Sequence, residues 1–160
     1  MIGRRRFLGL VLLGAGAATF ADTVFSPRPA HARKPEIYQG LVSGVGAGGY
    51  DVVAYFTESE AVKGKAAHVH RWKDANWHFA TPENRDRFAA NPSRYAPQYG
   101  GHCAWAAAEG YTAKGDPRNW DVVNGKLYLN FNSRIQRRWQ RDIPGNIARA
   151  DANWPGILTR

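Results

Sequence analysis

Sulfur is scarce in this chain, which holds one cysteine, Cys103, and one methionine, Met1. A lone cysteine excludes any disulfide within the chain, and with it the stapled framework on which many small secreted domains rely. Acidic residues are also few, 13 Asp and Glu against 22 Lys and Arg, for a formal charge of +9. The basic residues are scattered along the chain, which points to a solvated basic surface and away from nucleic acid. Long hydrophobic runs are missing too. The apolar stretch from Leu8 to about Ala21 covers roughly 14 residues, whereas a membrane-spanning helix needs about 20. No serine sits in a G-x-S-x-G setting, and neither H-E-x-x-H nor C-x-x-C occurs, which removes the commonest hydrolase, zinc-protease and dithiol signatures.

What is present begins with Gly3-Arg4-Arg5-Arg6-Phe7-Leu8-Gly9, which resembles the twin-arginine export motif. A moderately apolar segment follows, and Ala30-His31-Ala32 supplies the small-x-small pattern of a cleavage site. Residues 1–32 therefore read as a twin-arginine signal peptide, 33–48 as a flexible linker and 49–160 as one globular domain. Cleavage after Ala32 would leave no stable membrane anchor and would place the protein in the periplasm or secrete it. About 128 residues of charge near +6 would remain, enough for one domain with its own core. Gly44, Gly46 and Gly49 match the spacing of the dinucleotide fingerprint. They lack its flanking strand and helix, and read as part of the linker.

Two β-like runs, about Ala67–Trp72 and Trp77–Thr81, predict a hairpin. Thr81-Pro82-Glu83 reads as the start of a helix, with threonine as cap and proline at the first helical position. His102–Glu109 is rich in strong helix formers. Asn124-Gly125 suits a type I′ turn between Trp120–Val123 and Lys126–Asn130. Ser133 to about Gln140 and Gly145–Ala152 complete the helices, while Tyr50–Phe56 reads as a short strand or turn in the core. Hairpins dominate the strand pairing, so the expected fold class is α+β, a small single domain with two antiparallel hairpins and several short helices.

Cys103 is the first candidate for chemistry. It follows Gly100-Gly101 and falls in the predicted first turn of a helix, where backbone N–H groups favour negative charge. A thiol so placed tends towards a lowered pKa, and the thiolate is both nucleophile and metal ligand. Unpaired cysteine also serves simply as core filling. His68 and His70 alternate on a strand and share a face, a spacing that suits Cu or Zn. An even-length loop leaves His78 on the opposite face, and an odd-length loop brings all three histidines together. The apolar match of Trp72 with Trp77 and Phe79 favours the even loop.

The blocks Gly49–Phe56, Phe79–Asp86, Tyr95–Ala104 and Gly125–Asn130 resemble, in order, the exported YHS-domain proteins of bacteria. The shared pattern runs through Phe79, Thr81, Phe88, Pro92 and Tyr95. This resemblance implies a small α+β, YHS-like domain associated with metal handling. The broader domain commonly has a cysteine where this chain has Asn84. In the exported subgroup the cysteine falls in the Tyr-Gly-Gly-x-Cys-Ala block, at Cys103, where some members carry selenocysteine, which implies redox or soft-metal chemistry. Two functions follow as expectations. One is binding of a metal ion, Cu or Zn, through Cys103 with help from His102, His68, His70 or His78. The other is thiol redox chemistry at a catalytic Cys103 with an external small thiol as partner, because no resolving cysteine exists. A third reading is a non-catalytic interaction module.

Overall fold

The computed structural model describes residues 32–159; the signal-peptide reading up to residue 31 lies outside them. Among the described residues no helix is long and apolar enough to cross a membrane.

Glycine and cap chemistry set the chain path. Ala47, Gly48 and Gly49 lie at φ of 47°, 57° and 78°, which throws the chain into a tight coil before a one-turn helix, α1 (Ala54–Thr57). Strand β1 (Lys65–Trp72) returns as β2 (Ala75–Phe79) through Lys73 and Asp74. Both turn residues are left-handed, at φ 47° and 58°, the twist a two-residue hairpin loop requires. The Thr81 hydroxyl then accepts the Asn84 N–H at 3.2 Å and starts α2 (Pro82–Ala90). Asn91 caps α3 (Pro92–Tyr95) in the same manner.

From there the pattern recurs. Tyr99, Gly100 and Gly101 take φ of 54°, 61° and 82°, followed by the short helix α4 (Ala104–Ala108). Strands β3 (Asp116–Val123) and β4 (Lys126–Asn130) are joined by Asn124 and Gly125 at φ 50° and 71°. Asn132 caps α5 (Ser133–Trp139) and Asp142 caps α6 (Ile143–Asn153). Matching details go further. The β1/β2 register breaks between Lys65 and Val69, and the β3/β4 register between Asp116 and Trp120. The Asp51 N–H donates to Val62 at 2.8 Å, and the Cys103 N–H donates to Ala113 at 2.9 Å. Tyr50 bridges to Lys63 as His102 does to Lys114. The domain is one motif used twice, with Gly48-Gly49 matched by Gly100-Gly101, Asp51 by Cys103, Lys63-Gly64 by Lys114-Gly115 and Phe88 by Trp139.

The two hairpins form separate two-stranded sheets, so the protein is α+β as expected. One core gathers Val52, Val53, Tyr55, Trp77, Phe79 and Phe88; the other gathers Tyr99, Ala104, Ala107, Trp139, Ala150 and Ile157. Strand β4 joins both, because Leu127 and Leu129 enter the first core while Tyr128 between them enters the second. Each fully buried large side chain contributes about 1.5–3 kcal/mol of apolar burial, which lets the domain stand without a disulfide. The alanines of α4 allow α6 to pack close, and the Asn153 amide donates to the Ala107 and Ala108 carbonyls at 3.0 and 3.2 Å.

Two sequence expectations are corrected here. Residues 33–48 are not a flexible linker: Ile37 and Val45 are buried, and the Lys34 and Tyr38 N–H groups donate to Leu158 and Gly100. Gly46 among them serves close approach, since a Cβ there would meet the Trp77 ring at 2.9 Å. The domain therefore includes this segment instead of starting at residue 49. Tyr50–Phe56, read as a strand or turn in the core, is a buried turn that runs into helix α1, with Asp51 shaping it by accepting from the Val53 N–H at 2.9 Å.

Candidate functional site

The two equivalent positions, 51 and 103, are the most informative places in the molecule. Asp51 is wholly buried, yet its carboxylate is fully engaged. One oxygen accepts from the Val53 and Ala54 N–H groups at 2.9 and 3.3 Å. The other accepts from the Ala80 N–H and the Asn84 amide, both at 2.8 Å. A buried charge is tolerable only in such a fully satisfied setting. This ties the start of α1, the end of β2 and α2 together at one point.

Cys103 holds the same place in the second motif. It is the residue before α4, and by the repeat the counterparts of Val53, Ala54 and Ala80 are Trp105, Ala106 and Phe131. The backbone N–H groups of these three residues favour a negative sulfur. Burial outweighs them, and the thiol pKa is pushed up. The expectation of a lowered value is thus corrected: the helix begins at Ala104, one residue after Cys103, and the sulfur, only 1 % exposed, loses more by desolvation than the N–H groups return. In place of Asn84 the second motif has Ile135, which cannot donate. An amide arrives from the strand instead, as Asn130 stands where the first motif has Phe79. Asn130 Oδ1 accepts the Trp105 N–H at 3.2 Å and lies 3.7 Å from the sulfur. Its Nδ2 is buried and has no partner.

Unlike Asp51, Cys103 opens onto a cleft of about 460 Å³. Trp105, Tyr111, Phe131 and Ile135 supply apolar walls, and Arg134 and Arg138 are its charged lining residues. Tyr111 and Phe131 are exposed, at 51 % and 39 %, and the Arg138 guanidinium stands 5.4 Å over the Trp105 ring, the arrangement of a cation–π pair. Arg134 and Arg138 lie one helical turn apart on α5 and so share a face.

The histidines do not join this site. His102 points into a separate cavity of about 410 Å³ beside Lys34, Tyr38 and Lys114. Its ring lies between Tyr38 and Trp154, with centroids at 5.4 and 5.7 Å. One ring nitrogen meets the Pro35 carbonyl at 3.3 Å. Burial lowers its pKa, with the Lys34 charge adding a little, against the opposing carbonyls of Pro35 and Ala113. On the first hairpin His70 pairs with Trp77 and Val69 with His78, so His70 and His78 face opposite ways, as the even loop implies. His70 packs edge-on against Phe88 at 5.9 Å, while His78 lies beside Gly49. His68 falls inside the irregular stretch between Lys65 and Val69. Among the described residues no three His, Cys, Asp or Glu side chains come together to hold a metal ion. Cys103, His102, His68, His70 and His78 are therefore not assembled into one ligand set.

Comparison with protein-family models, with curated proteins and with solved structures returned no match. The arginines, the aromatics and the Asn130 amide were not singled out as site residues in the sequence. The repeat was the available signal. Aligning Gly48-Gly49 with Gly100-Gly101 sets Cys103 opposite a buried carboxylate and marks its surroundings as a place built for an anion.

Proposed function

We propose that the protein binds a small organic anion in the cleft over Cys103. The carrying observation is the cleft itself, with aromatic walls, two arginines on one helix face and a sulfur at its floor. Such composition is typical of small-molecule sites, where apolar surface provides affinity and a few polar groups fix orientation. A planar apolar body would stack on Trp105, Tyr111 and Phe131, and its acidic group would meet Arg134 and Arg138. The resemblance to the exported YHS-domain proteins supports Cys103 as the centre of the site. It also makes recognition in the periplasm the natural setting.

The test uses two fluorescent probes of similar shape, anionic 1-anilinonaphthalene-8-sulfonate and uncharged N-phenyl-1-naphthylamine. Both should bind the native protein. The double variant Arg134→Glu/Arg138→Glu should weaken the sulfonate about 10-fold or more, the scale of one lost charge-assisted contact, and leave the neutral probe within about 2-fold. Equal responses of the two probes, or no saturable binding of either, would reject the proposal.

A further inference from the structure

The fold gathers cations that the sequence scatters. A cleft of about 240 Å³ is lined by Lys63, Lys114 and Arg118 together with Leu41, Val42 and Tyr50. Lys63 and Lys114 are the matching lysines of the two motifs, each placed by an equivalent bridge, Tyr50 to Lys63 and His102 to Lys114. The repeat thus brings both copies of one charge to a single place. Their ammonium groups stand over aromatic rings, Lys63 at 4.5 Å from the Tyr50 centroid and Lys114 at 5.0 Å from that of Phe131. Lys114 also borders the cavity beside His102, where Lys34 adds a further exposed cation. Among the described residues lining this cleft and cavity, Asp116 is the only acid. Both of its oxygens accept from the Arg118 guanidinium, at 3.1 and 2.8 Å. Among the described residues no carboxylate pairs with Lys63 or Lys114.

Apolar side chains stand out from the same surface. Leu41 and Val42 are 38 % and 45 % exposed. Leu41 is seated against Gly48, whose carbonyl accepts from the Lys63 ammonium at 3.2 Å, so apolar tip and charge share one footing. A soluble polyanion would answer the charges alone. The interface of a bilayer answers both, offering phosphates to the lysines and an acyl boundary to the aliphatic tips. We propose that this surface docks the protein on an anionic phospholipid bilayer, through Lys34, Lys63 and Lys114 with Leu41 and Val42 set into the interface. The hold is peripheral and reversible, because a few cations and two short side chains give a modest, salt-sensitive attachment. It does not depend on the organic anion of the preceding section, whose arginines lie on α5 at a different cleft.

The experiment follows cosedimentation with vesicles of the form that cleavage after Ala32 would leave, which holds both cores. Vesicles of equal parts phosphatidylglycerol and phosphatidylcholine should bind it about 10-fold or more tightly than phosphatidylcholine alone, and added salt should weaken the binding. Lys63→Gln/Lys114→Gln should lose about 30-fold, the scale of two charges at an anionic surface. Lys34→Gln/Lys114→Gln, which keeps the bond from Lys63 to Gly48, should lose about as much, and thermal unfolding checks that each variant is folded. Arg87→Gln/Arg141→Gln removes the same charge from exposed positions outside the cleft and cavity and should stay within about 3-fold of the parent. Leu41→Ser/Val42→Ser keeps every charge and should lose about 5-fold or more. Equal binding to the two vesicle types, or equal losses for the lysine and arginine pairs, would overturn the proposal. So would unchanged binding of Leu41→Ser/Val42→Ser, which would mark the surface as one for a soluble polyanion such as nucleic acid.

Discussion

Asp51→Ala should lower the unfolding free energy by about 3–5 kcal/mol, a large share of the stability of a domain this size. The Val53, Ala80 and Asn84 donors converge on this carboxylate, and alanine takes away the acceptor they share. Each abandoned donor costs about 1–3 kcal/mol, less than additively because water can enter the space left behind. Asp51→Asn should cost about half as much, since one oxygen survives but an NH₂ group replaces the other and faces donors. Urea unfolding provides the measurement, and a lower midpoint at unchanged slope would identify a loss of stability with the same folded state. A midpoint for Asp51→Ala within experimental error of wild type would show that the carboxylate is not the tie between α1, β2 and α2.

Gly100→Ala should be comparably severe, at about 3 kcal/mol or more. Its φ of 61° is strained for any residue with a Cβ. The added methyl would also be driven into the Glu36 carbonyl oxygen, with the Ile37 Cα at 3.2 Å. Residues 34–38 would have to lift from the domain, breaking the 2.9 Å bond from the Tyr38 N–H to Gly100. Gly44→Ala separates strain from clash, because Gly44 has φ 75° with nothing within 4 Å of an added Cβ; it should cost only about 1 kcal/mol. Thermal unfolding of both variants reads the difference. Equal effects would mean that the packing of residues 33–48 contributes little to stability.

Several elements were legible in the sequence because local chemistry decides them. Asn124-Gly125 can meet the left-handed demand at both turn positions, and Thr81-Pro82 supplies a cap and a fixed φ at the helix start. Lys73-Asp74 carries no such signature. Its left-handed turn is imposed by the pairing of Trp72 with Ala75 and of His70 with Trp77, a tertiary effect. Residues 33–48 read as flexible because glycine suits both mobile chain and close packing, and only the Trp77 ring over Gly46 distinguishes the two. The place of Cys103 at a helix start was legible, but the direction of its pKa shift was not. That shift is decided by burial beneath distant elements, Leu129 of the second hairpin included, which outweighs the opposing backbone N–H groups of Ala106, Phe131 and Trp105. The repeat was present in the letters as Gly-Gly and Lys-Gly pairs. It was obscured because the matched functional letters differ, Asp51 against Cys103 and Asn84 against Ile135.

The account rests on one physical claim, that burial of the Cys103 sulfur outweighs the nearby backbone N–H groups that favour its anion. Because folding raises this pKa, the stabilisation from the neutral thiol is complete below the ordinary thiol range near 8.5 and declines as pH rises through the higher folded-state value. The direct measurement is an amide NMR titration through that range, with thiol ionisation followed by its ultraviolet absorbance. The Trp105, Ala106 and Phe131 amide protons should move downfield together, with the midpoint of the thiol itself and above 8.5. A thiol that ionises at or below that value, or three amides that stay still while it ionises, would contradict the claim.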